Sequence, residues 1–198
     1  MNYSARKFFK RILWPVGIPY KLFFCRDSYL KMTGWLKSYR RGCPCRPDGT
    51  LLPWMNYSII ALLEQRLHNR MRLFEFGSGY STLFYAERVK AVTSVEHDPY
   101  WYHNSPARDR GNVTLVHVAL DTDGEYCRTI RNGKTGYDVV IVDGRDRVNC
   151  IIQSVPALSA RGVIILDDSQ RERYQQAFVF LKKKGFRVFT VGDDIAWM

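Results

Sequence analysis

The sequence predicts an α/β fold of the Rossmann-like kind over residues 51–198, a mostly parallel sheet covered by helices, preceded by a basic N-terminal helical extension over residues 1–50. Three observations predict it. From residue 72 onward short apolar runs alternate with amphipathic segments, as strands and helices of a parallel sheet do. Two of those runs, Val139-Val-Ile-Val142 and Val163-Ile-Ile-Leu166, are continuous and rich in β-branched residues, which is how strands buried on both faces read. The first run, Leu73-Phe-Glu-Phe76, breaks into a Gly-x-Gly turn where a helix should begin.

Taken in order, the first fifty residues read as short helices carrying 11 Lys+Arg against Asp27 and Asp48, a net +9, with interleaved aromatics from Phe8 to Tyr39. They end in the turn-rich stretch 42–49, the expected boundary. Ile59, Ile60, Leu62, Leu63 and Leu67 then recur at helical spacing, so a helix is expected over 58–67. Strands follow at 72–76, 91–96, 113–118, 137–143, 162–167 and 185–191, with helices near 80–88, 99–105, 147–159 and 170–184. Gly192-Asp-Asp194 lies between the strand-like runs Phe186–Val191 and Ile195–Met198, which reads as a closing hairpin. The expected sheet is therefore seven-stranded, its last strand antiparallel.

Composition narrows the function classes. With 46% hydrophobic and 25% charged residues the chain is globular rather than disordered. The net charge of +11 points toward polyanions only if it is spread evenly, and residues 51–198 hold 19 basic against 17 acidic residues. Nucleic acid is accordingly the less expected partner. The basic arm reads either as a solvated face packed on the domain through its aromatic side, or as a segment lying on an anionic membrane, where each Lys or Arg adds about 1 kcal/mol. The apolar run from Ile12 to Phe24 is broken by Pro15, Gly17, Pro19 and Lys21, so neither a transmembrane helix nor a secretory signal is expected. Five cysteines (25, 43, 45, 127 and 150) make neither a disulfide framework nor a zinc pattern, and a reducing cytoplasmic setting follows.

The chemistry concentrates in Leu73-Phe-Glu-Phe-Gly-Ser-Gly-Tyr-Ser-Thr82. Glycine alone lets the chain turn this tightly and approach a ligand without a Cβ, and Ser81 and Thr82 suit the first turn of a helix. Gly77, Ser78 and Gly79 thus outline a nucleotide pocket, but Thr82 stands where the dinucleotide fingerprint needs its third glycine. Glu75 would repel a pyrophosphate and would receive the cationic amino end of S-adenosylmethionine, directly or through water. Seventeen residues after Gly79, the second strand ends in Glu96, placed to accept hydrogen bonds from ribose hydroxyls. His97 is expected beside the adenine or simply at the surface; Asp121 and Asp123 lie after the third strand, where such folds contact adenine.

With the motifs Phe74–Thr82 and Ser94–Asp98 in view, the chain from about residue 50 to its end resembles the class I S-adenosylmethionine-dependent methyltransferases, particularly small bacterial-type domains. The resemblance implies the seven-stranded fold, S-adenosylmethionine as cofactor and the ribose-binding role of Glu96. It does not cover the first fifty residues.

On the acceptor side, Asp143 ends the fourth strand and Asp167-Asp168 the fifth, so three carboxylates should converge beside the cofactor. Two partners would neutralise them. A divalent cation, Mg²⁺ or Ca²⁺, held by Asp143, Asp167 and Asp168 would make the site similar to metal-dependent O-methyltransferases of the catechol type, except that those carry Asp-Asn where this chain has Asp-Asp. Alternatively Arg145, Arg147, Arg171 and Arg173 would pair with the carboxylates or hold an anionic substrate. Asp143 or Asp146, with Arg145, would then serve catalysis, the aspartate as general base toward a hydroxyl. The expected function is methyl transfer to a hydroxyl of a small-molecule or glycan-like acceptor. The alternative from another class is a non-catalytic nucleotide-binding or scaffold domain that docks on a membrane or polyanion through its basic arm.

Overall fold

The structure, a computed structural model, describes residues 19–133 and 135–192. The chain divides between Leu52 and Pro53 into two units. In the first, helical residues at 19–23 precede α1 (Tyr29–Met32) and α2 (Trp35–Arg41). Ser28 accepts the Lys31 amide at the start of α1, and left-handed glycines, Gly34 and Gly42, bracket α2. A Cys45–Leu51 bridge closes the turn-rich stretch, with Ser38 Oγ accepting from the buried Cys45 amide at 2.8 Å.

The second unit opens with α3 (Tyr57–Arg66), capped by Asn56, whose side chain accepts the Ile59 amide. There follow β1 (Arg72–Phe76), α4 (Tyr80–Ala86), β2 (Ala91–Glu96), α5 (Pro99–His103), β3 (Val113–His117), α6 (Glu125–Arg128), β4 (Tyr137–Val142), α7 (Arg147–Ser154), β5 (Leu158–Leu166) and α8 (Gln175–Lys183). The five described strands are all parallel, in the order β3-β2-β1-β4-β5. β1 sits at the centre with Phe76 opposite Val95 on one side and Val142 on the other.

Alternation along the central strands separates two layers. Phe74, Phe76, Val140 and Val142 pack with Tyr126, Ile130, Cys150, Ile151, Ala177 and Leu181 from the helices of one face. α7 turns Arg147, Cys150, Ile151 and Ser154 inward, a three-four-seven spacing along one helical face. Glu75 lies on the other face, where α4 covers the sheet.

The described sheet departs from the expected seven strands. The sixth was expected at 185–191, but residues 186–192 form no ladder: Gly185 is left-handed and the Phe186 amide closes the end of α8 on the Leu181 carbonyl at 3.0 Å. The hairpin at 192–194 and the antiparallel strand at 195–198 fall outside the described residues. Among the described residues β5 consequently lies at an edge of the sheet, and Val163, expected on a strand buried on both faces, is 49% exposed. β5 also begins at Leu158 rather than 162, because Pro156 ends α7 and a single 3₁₀ turn, Val155–Ala157, leads straight into the strand. Helix α6 was not expected at all. Along the outer edge of β5 runs a cleft of about 1920 Å³, lined by apolar residues of α3, β5 and α8, with Asp143, Asp167 and Asp168 at one end. No helix among the described residues is long and apolar enough to cross a membrane.

At the carboxyl edge the loops after β1 and β4 touch. Gly77 has φ +97°, and a Cβ on it would stand 2.8 Å from Gly144 Cα, backbone that cannot yield. Gly77→Ala should therefore destabilise the protein by about 2 kcal/mol or more from strained backbone alone, measured as a fall in the urea midpoint at unchanged slope.

Candidate cofactor and acceptor site

Glu75 is fully buried, and its carboxyl is satisfied by hydroxyls: Ser81 Oγ donates at 2.5 Å to one oxygen, Thr82 Oγ1 at 2.7 Å and Ser94 Oγ at 2.8 Å to the other. Burial pushes its pKa up to about 7 against the opposing pull of those three donors, with the nearby Glu96 charge adding to the rise. The sequence placed Glu75 toward the amino end of a ligand. The structure sets it beneath the glycine turn instead, holding the first turn of α4 to β1 and β2.

Above it, each amide of the turn is committed inside the protein. Gly77 N donates to Val95 O at 2.9 Å, Ser78 N to Glu96 Oε2 at 2.7 Å and Gly79 N to Thr82 Oγ1 at 3.0 Å. A loop of this form is no phosphate cradle, since its three N–H groups do not point at a ligand. Glu96 accepts the amides of His97 and Asp98 on Oε1, both at 2.8 Å, with His97 Nδ1 also 2.8 Å away. Oε2 accepts only the Ser78 amide among these and keeps a lone pair.

After β3, Asp121 takes the amides of Glu125 and Tyr126 on its two oxygens, at 2.7 and 3.0 Å, and those bonds hold its carboxyl below the ordinary range. It fixes the start of α6. Asp146 similarly accepts the Asp123 amide at 2.9 Å and the Asn149 side chain at 2.8 Å, tying the loop after β4 to the loop after β3. Asp123, Asp146 and Asp168, one in each of the loops after β3, β4 and β5, all have positive φ, between 47° and 54°. Aspartate tolerates this region better than most side chains, and such residues gather at functional edges.

The three acceptor-side carboxylates do converge, and Arg147 stands among them. This residue is only 8% exposed. It donates to the Gly144, Asp167 and Asp143 carbonyls at 3.0, 2.6 and 2.8 Å and to Asp143 Oδ1 at 2.9 Å, with Asp167 and Asp168 oxygens 3.7 and 3.6 Å away. Arg171 pairs with Asp168 at 2.7 Å. Of the four arginines expected to neutralise the cluster, these two do so. Arg145 is exposed, and Arg173 lies over the Tyr174 ring. The metal alternative finds no support: among the described residues no group of three ligands that could hold an ion is assembled, and a guanidinium occupies the position between Asp143, Asp167 and Asp168. Burial raises the Asp143 carboxyl well above its ordinary value, Asp167 raising it further and Arg147 opposing; Asp167 is raised by burial and by Asp168.

Two residues at this edge went unnoticed in the sequence. Gly144 packs on Gly77, and Tyr126 is fully buried beneath both. A glycine directly after a strand-end aspartate was the available sign of the first; nothing but an apolar ring in a short helix announced the second.

Fold and edge together define the class: a Rossmann-like α/β domain built on a parallel sheet. Among solved structures, the chain is similar to precorrin 8W decarboxylase from Methanobacterium thermoautotrophicum, at 18% identity over 74% of this chain and 80% of that one, TM-score 0.56. It is also similar to precorrin-6y C5,15-methyltransferase from Geobacter metallireducens, at 19% identity over 69% and 76% of the two chains, TM-score 0.52. These likenesses are likenesses of fold. No family model matches the chain, and no curated protein does.

The raised pKa of Glu75 gives a pH dependence with a definite sign. Below its ordinary value of 4.5 the group is protonated folded or unfolded; between 4.5 and about 7 the unfolded chain releases the proton and the folded chain keeps it. Stability should fall through that window by about 3 kcal/mol as pH rises. Denaturant melts of Glu75→Gln should show this part of the slope removed.

Proposed function

We propose that the protein transfers a methyl group from S-adenosylmethionine to a hydroxyl of a small-molecule or glycan-like acceptor. One observation carries the cofactor: a glycine turn whose three amides are all committed internally, beside a strand-end Glu96 with an open lone pair. That arrangement suits an adenosine bearing no pyrophosphate, with Glu96 Oε2 accepting from the ribose and Gly77 and Gly79 allowing close backbone approach. Bound there, S-adenosylmethionine supplies an electrophilic methyl on a sulfonium. Asp143 is the general base of this reading: burial and the neighbouring Asp167 raise its carboxyl above the ordinary range, which makes it a stronger acceptor for a hydroxyl proton. Arg147 fixes that carboxylate's direction, and Asp146 keeps the adjoining loops in register. Most of the rate then comes from holding acceptor and methyl in line.

Calorimetric titration tests the reading. S-adenosylmethionine should bind saturably with no change on adding Mg²⁺, and Glu96→Ala should weaken it at least tenfold, about 1.4 kcal/mol. Asp143→Asn should keep that binding and lose turnover in an acceptor screen. No binding by the wild type rejects the cofactor; binding without turnover by any acceptor favours the scaffold reading.

For the N-terminal unit we propose peripheral contact with an anionic membrane. Tyr20, Phe23, Phe24, Tyr29 and Met32 are exposed, and Lys31 Nζ bonds the Phe24 carbonyl at 2.9 Å, linking the two helical turns that carry them. The aliphatic Leu22 and Met32 favour acyl chains over stacked bases. The full chain should sediment with phosphatidylcholine vesicles only when phosphatidylglycerol is included, and Phe23→Ser with Phe24→Ser should release it. Equal binding to neutral vesicles, or preference for RNA, contradicts the proposal.

A further inference from the structure

Tyr126 presents a feature that the roles assigned above leave unused. Its side chain is fully buried on α6, its ring tilted against Phe76 at 5.9 Å and edge-on to His97 at 6.0 Å. Its Oη is a buried polar atom with no hydrogen-bond partner. The Arg145 backbone N–H is turned toward that oxygen, which leaves the phenolic hydrogen without an acceptor. Burial, with the nearby Cys150 and Glu96, holds the phenol far above its ordinary pKa, so it remains a donor at any ordinary pH.

Its position is specific. A Cβ built on Gly144 would collide with Tyr126 Oη and would stand 3.0 Å from Gly77 N and 3.1 Å from the Phe76 carbonyl carbon. The hydroxyl therefore sits beneath the junction of the loops after β1 and β4, where the strand order reverses direction, and Gly144 is the residue whose lack of a side chain admits it. His97, whose ring packs on Tyr126, adjoins the Glu96 carboxylate on the same side. A buried donor left unpaired costs about 1–3 kcal/mol, and a ligand that supplies its acceptor removes that penalty.

We propose that Tyr126 is a ligand-binding residue, its hydroxyl the buried hydrogen-bond donor to the nucleoside part of a molecule seated against the touching Gly77 and Gly144 and beside Glu96. This rests on the cofactor reading above and adds a contact to it. The geometry accounts for two otherwise unrelated facts: a glycine at 144, and a tyrosine rather than a phenylalanine at the bottom of an apolar layer. The donor selects an acceptor atom on the nucleoside, an aza nitrogen or a ribose oxygen, so a ligand with a C–H at that atom would bind more weakly.

Tyr126→Phe tests it with the least disturbance, because the ring and its packing on Phe76 stay. S-adenosylhomocysteine and adenosine should each bind the variant about tenfold more weakly than the wild type, while the ligand-free melting temperature does not fall. A residue with a purely structural role would lower the ligand-free melting temperature and leave both affinities alone, and that outcome overturns the proposal. A loss confined to S-adenosylhomocysteine also overturns it, since the contact would then not be to the nucleoside. If the wild type binds both ligands and the variant binds them equally well, Tyr126 is rejected and the cofactor reading stands; if the wild type binds neither, both fall.

Discussion

The carboxyl group of Glu75 is the constraint on which this protein's working edge depends. A carboxyl placed in the middle of a sheet, out of reach of water, has to be met by donors from the chain itself. Here those donors come from two directions, Ser94 on the neighbouring strand and Ser81 and Thr82 on the helix that follows the turn. The three bonds fix where α4 begins relative to β1 and β2. The turn between them has no freedom left, and Thr82, already bonded to Glu75, receives the Gly79 amide as well. Glu96 and the Ser78 amide complete the same network one layer further out. The turn's conformation is thus determined from below, before any ligand arrives.

The opposite half of the edge uses different physics. Where β4 and β5 end, three carboxylates meet one guanidinium that also gathers three backbone carbonyls. Arginine suits this position because its planar fork offers five donors in fixed directions and does not deprotonate. The half around Glu75 and Glu96 is a network of hydroxyls and amides around buried carboxyls. The half around Arg147 is a charge cluster in which burial and crowding raise the Asp143 and Asp167 carboxyls.

Much of this was legible in the sequence, and the rest failed for identifiable reasons. β1, β2, β3 and β4 stood where their apolar runs put them, and the Gly77–Gly79 turn and Glu96 were visible because tight turns and strand-end acids are local signals. Local signals do not tell which way a carboxylate faces. Glu75 was assigned to a ligand because charge alone suggested one, whereas its donors lie six, seven and nineteen residues away and only the fold brings them in. The acceptor cluster was seen as three carboxylates with two candidate partners, and choosing between metal and arginine required knowing that Arg147, on the first turn of α7, points back under β4. α6 was missed because four residues carry too little periodicity to register, and Tyr126 was missed with it. The β5 run looked fully buried because its composition is that of a central strand, while exposure depends on what lies beyond it.

The Arg147 clasp makes the ends of β4 and β5 respond as one. Asp143, Asp167 and Asp168 line one end of the cleft along β5. The same guanidinium that orients Asp143 also joins the ends of two strands, and a mutation there is felt by the whole sheet edge. Arg171 stands differently: its half-exposed side chain meets the cluster through Asp168, so exchanging it leaves the joined strand ends in place.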